Sequence, residues 1–206
     1  MKQESLTNRA ARASFLLSAL AATVLLSGCS LLSDKKASGS TEVTIQAIPA
    51  FIANAPKNGK KLFIHYKTNF EHDDANGCVA FNVAFGALAQ GYEVEMFYDA
   101  GGVYDLKVES DCAPHSYGYA VPAKLKSIMA DLYPITPGEM PNTYRDYLYW
   151  LHAMGVTISY NGFMAALVSL QDEALVRSAS IEKIAEPVSL ADMLERRGQA
   201  DEYFVY

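Results

Sequence analysis

Cys78 and Cys112, with His72 six residues before the first and His115 three after the second, are the side chains of this 206-residue chain best equipped for chemistry. Two thiols and two imidazoles are the donor types that zinc prefers, although their spacing follows no finger signature. Cys78 also opens an apolar run, residues 78–90, that reads as a helix. A thiol at a helix N-terminus feels the positive end of the dipole and is favoured as thiolate; Cys112 would then be its resolving partner in thiol or sulfur relay. A second set is Asp99, Gly101, Gly102, Asn161 and Gly162. Glycine turns offer unhindered backbone amides and Asn161 adds a side-chain amide, a combination suited to a small anion or polar metabolite. No phosphate-loop or dinucleotide glycine pattern is present, so no nucleotide cofactor is expected, nor is there a nucleophile elbow or a metalloprotease helix. His65 lies inside the apolar run 62–66 and reads as a hydrogen-bonded core histidine, and Asp73-Asp74 as a helix-capping pair.

The elements that must position these residues alternate strand and helix. Strands are predicted at 62–66, 93–98, 156–160, 181–185 and 202–206, and helices at 78–90, 122–133, 142–154, 163–170 and 189–197. Gly91 and Gly155 supply C-terminal stops, and Ser189 with Asp192 a capping box. Such alternation predicts an α/β fold: a mainly parallel sheet of about five strands with helices on both faces. In open α/β sheets the carboxyl ends of the strands carry the site, and here the loops 69–78, 99–115 and 161–162 converge on that edge. It collects His72, Asp73, Asp74, Cys78, Asp99, Cys112, His115 and Asn161. The helix 142–154, with Tyr144, Tyr147 and Trp150, suits either core packing or a subunit interface.

The amino-terminal segment carries a different message. Lys2, Arg9 and Arg12 precede an apolar run, residues 13–26, too short to span a bilayer, and Leu26-Ser27-Gly28-Cys29 follows. These four residues resemble the bacterial lipobox. The resemblance implies cleavage before Cys29, acylation of that cysteine with palmitate-type chains, and a membrane-anchored protein facing the periplasm or cell exterior. Ser30 rather than aspartate after the cysteine resembles outer-membrane more than inner-membrane sorting. Residues 1–28 are thus expected as signal peptide, 29–59 as acylated cysteine and tether, and 60–206 as the domain. Removing 1–28 leaves 14 cationic and 22 anionic residues, a net charge of about −8, with no basic face for nucleic acid. In an oxidising compartment Cys78 and Cys112 are also candidates for a disulfide, closing a loop of about 35 residues worth roughly 3–4 kcal/mol.

The segment 61–99, with its strand, alanine-rich helix, Gly91-Tyr92 and second strand, resembles the DsrE/DsrF-like (YchN-like) family. Gly102-Val103, Met154-Gly155-Val156-Thr157-Ile158 and Val188-Ser189-Leu190-Ala191-Asp192 extend the resemblance over residues 60–206. It implies a flavodoxin-like sheet, homo-oligomers and, in several members, sulfur transfer through a persulfide on a cysteine just after the third strand. This chain has Asn161 there, and an amide cannot become a thiolate. The expectation is therefore a ligand- or partner-binding module, with relay through Cys78 and Cys112 as the alternative.

Overall fold

The computed structural model describes residues 43–108 and 118–206. The signal-peptide and lipid-attachment expectations at Cys29, and Cys112 and His115, lie outside them. The sheet has five strands, β1 (Lys61–Tyr66), β2 (Glu93–Tyr98), β3 (Thr157–Asn161), β4 (Ala185–Val188) and β5 (Glu202–Val205). All are parallel, in the order β4-β3-β2-β1-β5. The helices are α1 (Ala50–Ala53), α2 (Asp74–Ala89), α3 (Ala123–Leu132), α4 (Tyr144–Ala153), α5 (Gly162–Leu167) and α6 (Leu190–Gly198), with a 3₁₀ segment at Ala100–Leu106. This is a flavodoxin-like α/β arrangement.

The two faces of the sheet are unequal, and chain direction explains why. From β1 to β4 each strand is added on the same side, whereas the last connection returns to place β5 beside β1. With crossovers of one hand, a reversal of direction puts the connecting helix on the opposite face. Leu62, Ile64, Tyr66, Val94, Met96, Tyr98, Ile158 and Tyr160 accordingly join the large core beneath α2 and α4. On the other face, among the described residues, a smaller cluster of Phe63, Phe97, Val188 and Met193 of α6 forms, with Ala200 and Tyr203 packed against it.

Helix α2 has no polar stripe because it is enclosed on several sides, from Gly77 to Leu88. It starts four residues before the apolar run, since Asp73 caps it by accepting from the Asn76 amide at 3.0 Å. The tyrosine-rich helix α4 is core: Trp150 stacks on Phe85 at 5.3 Å, and Tyr147 and Tyr144 lie 5.3 and 5.5 Å from Phe81. Aromatic pairs of this kind contribute about 0.5–1.5 kcal/mol each beyond burial.

Two expectations change. Part of the segment read as tether packs on the domain: Ile52 is buried, Phe51 lies 6.1 Å from both Phe85 and Tyr133, and the Trp150 indole donates to the Ala47 carbonyl at 3.0 Å. The fourth strand is Ala185–Val188 rather than 181–185. Ile181 instead makes an isolated antiparallel bridge to Lys107, and the neighbouring Glu182 is buried against Arg145 of α4, Nε to Oε1 2.6 Å. Pro187 is accommodated because β4 is an edge strand.

Candidate functional site

At the carboxyl edge, β1, β2, β3 and β5 each contribute one polar side chain to a single network. Asp99 follows β2, and its Oδ1 accepts from the Ala100 amide and from Asn161 Nδ2, both at 2.8 Å. Its Oδ2 lies 3.0 Å from His65 Nε2. The other ring nitrogen, Nδ1, lies 2.8 Å from the Tyr203 hydroxyl. These contacts hold Asp99 down at about 2, the His65 bond being the largest cause and the Asn161 and Ala100 bonds adding to it against the cost of burial. Asp99 is therefore an anion that can only accept, so His65 Nε2 carries a hydrogen. In the neutral ring Nδ1 then accepts the Tyr203 O–H. Ala100, next to the carboxylate, sits at φ +46, a conformation costly for a residue with a Cβ and often found at functional sites.

A carboxylate whose folded value is depressed contributes stability above its unfolded value near 4 and loses it as pH falls toward 2. Between pH 5 and 2, wild type is expected to lose about 1–2 kcal/mol more unfolding free energy than Asp99→Asn, after allowance for solvent screening. Urea denaturation at the two pH values measures this; parallel losses in the two proteins would contradict the role given to Asp99.

The sequence-derived ligand set is brought together only in part. Asp99 and Asn161 bond directly, but the glycines face inward. The Gly102 amide donates to Lys67 O (3.1 Å) and Asp99 O (2.8 Å), and a Cβ there would lie 2.6 Å from Tyr66 O. A Cβ on Gly101 would stand 3.2 Å from Lys67 O, and one on Gly162 would overlap the Ala174 carbonyl. These glycines allow close backbone packing, and the Gly102 amide is already paired within the chain. Asn161 is likewise committed: its Oδ1 accepts from the Met164 amide at 3.1 Å, capping α5. Cys78 is not at the helix end but one turn inside α2, 1% exposed, with the Tyr144 hydroxyl donating to its Sγ at 3.0 Å. Such burial removes the access that a reactive thiolate requires. Among the described residues no three His, Cys, Asp or Glu side chains converge as metal ligands, and no helix is long and apolar enough to cross a membrane.

Beside this edge stands an apolar rim that periodicity alone does not flag. Phe163 and Leu167 on α5 are 57% and 65% exposed, and Leu190 and Leu194 on α6 are 47% and 57% exposed. Each pair is spaced i,i+4, so each forms one face of its helix. Asn161 and Val188, in register on β3 and β4, place both helix starts at the carboxyl edge, α5 packing on the large core and α6 on the opposite face of the sheet.

No family profile and no curated protein sequence matches this chain. Among solved structures it is similar to the crystal structure of the ychN protein from E. coli, at 13% identity and a TM-score of 0.44, over 71% of this chain and 99% of that one.

Proposed function

We propose that this chain is a DsrE-like assembly module, anchored by lipid on Cys29 and facing the periplasm or cell exterior, that binds a protein partner, in the first instance further copies of itself. The carrying observation is the two exposed apolar pairs, Phe163 with Leu167 on α5 and Leu190 with Leu194 on α6, on helices that both start at the strand-end edge. The polar groups of that edge are occupied with one another, which favours a protein surface over a small polar ligand. Asn161 supports the same reading, since an amide used as a brace and helix cap performs no persulfide chemistry. Burying the half or so of these four side chains that is exposed supplies roughly 3–7 kcal/mol gross, at the lower end of the roughly 4–15 kcal/mol lost on association. Anchoring all copies to one surface would offset part of that cost by raising their effective concentration.

Chemical cross-linking of the full chain in cells tests this. Wild type is expected to give a discrete product above monomer mass. Phe163→Asp with Leu194→Asp is expected to abolish it, while exposed-site changes leave stability within about 0.5 kcal/mol. A monomer-only pattern in wild type, or an undiminished product in the double variant, would refute the proposal.

A further inference from the structure

The network at His65 has a property that assembly does not require. Its members are ordered as nucleophile, base and orienter: the Tyr203 hydroxyl on Nδ1 at 2.8 Å, and the Asp99 carboxylate on Nε2 at 3.0 Å. That is the general geometry by which a weak oxygen nucleophile is activated. The rings are held in place: His65 packs edge-on to Phe97 at 5.4 Å, and Tyr203 stacks on Phe63 at 6.1 Å. Tyr203 is nevertheless half-exposed on the edge strand β5. The Arg197 guanidinium sits 4.2 Å from the centre of its ring and, among the described residues, makes no ion pair. An exposed cation over the phenol is placed to meet a negative charge on an incoming molecule and to favour negative charge developing on the phenolic oxygen.

The geometry points to Tyr203 as a covalent modification site, an activated hydroxyl that takes an acyl group from an activated, negatively charged acyl donor, with His65 as base and Asp99 as positioning residue. In the step, the Tyr203 oxygen attacks the donor's carbonyl carbon and a C–O bond forms. The bond from that carbon to the leaving group breaks with its electron pair. The phenolic proton passes to His65 Nδ1 and then to the leaving group, with no change of oxidation state.

The full chain is treated with acetyl phosphate, an anionic donor, and separately with neutral N-acetylimidazole, and acetylated peptides are quantified by mass. Tyr104 is the internal reference, because it is 42% exposed and, among the described residues, no histidine bonds its hydroxyl. Tyr203 is expected to acylate at least about ten-fold faster than Tyr104, a rise below the roughly 10²–10⁴-fold that a positioned general base typically provides. His65→Gln should remove the excess and leave Tyr104 unchanged. Arg197→Ala should slow both donors, acetyl phosphate several-fold more than neutral N-acetylimidazole. A Tyr203 rate no greater than that of Tyr104 in wild type would overturn the proposal without recourse to any variant. Retention of the excess in folded His65→Gln would overturn it equally.

Discussion

Arg145→Ala is expected to lower the unfolding free energy by about 3–5 kcal/mol, the range found when a buried ion pair loses one partner. Glu182 is 1% exposed, and its carboxylate receives Arg145 Nε at 2.6 Å and the Tyr149 hydroxyl at 2.7 Å. Removing the guanidinium leaves a carboxylate in a protein interior without that cation, whereas Arg145→Met combined with Glu182→Leu removes both charges and should cost much less. Chemical denaturation of the two proteins makes the comparison. A single-variant loss below about 1 kcal/mol would mean that the pair behaves as a solvated one. The consequence reaches the proposed interface, because Glu182 anchors the segment that leads into β4 and then into α6, which carries Leu190 and Leu194.

Gly162→Ala should be nearly as damaging, at roughly 3 kcal/mol, since inserted volume in a packed site costs about 1–3 kcal/mol and more where backbone blocks it. The new methyl would overlap the Ala174 carbonyl oxygen and press on Pro187, so α5 or the following turn must move. Gly198→Ala is the matched control: nothing stands within 4 Å of a Cβ there, and replacing a helical glycine gains roughly 0.5–1 kcal/mol. Melting curves of the two variants should therefore shift in opposite directions. A shared direction would contradict the packing described at the β3–α5 turn.

The contrast between what was legible in the chain and what was not follows the range of the interactions. β1, β2, α2 and α6 are readable because their signals are local: apolar runs of the right length, a capping Asp73, a stop at Gly91, and the Ser189–Asp192 box. The position of β4 is misread because Ile181 is apolar for a different reason, a bridge to Lys107 across a large sequence separation. The site divides in the same way. Asp99 and Asn161 are found by the rule that strand ends carry ligands, and they do meet. Tyr203 and Arg197 are missed, because nothing near residue 203 records that β5 will lie in register with β1, Phe63 opposite Tyr203. His65 is correctly read as a hydrogen-bonded strand histidine, but its two partners lie 34 and 138 residues away. The glycines carry a second use that their type does not announce: at Gly102 and Gly162 the missing Cβ lets another stretch of backbone come close.

The course of residues 43–60 has a mechanical consequence. Thr44 bonds Asp146 in the first turn of α4, Ala47 accepts from Trp150 farther along that helix, and Asn58 bonds Gln90 and Gly91 at the far end of α2. The strand-end edge is therefore where this strap begins, and β1 is reached only after it has traversed the whole flank of the domain. A pull applied from the amino-terminal side meets these contacts one after another, as in peeling adhesive tape, before any force reaches the parallel hydrogen bonds of β1. Those bonds, loaded last and along the strand, resist in shear, so the strap yields in small steps and acts as a shock absorber ahead of the sheet.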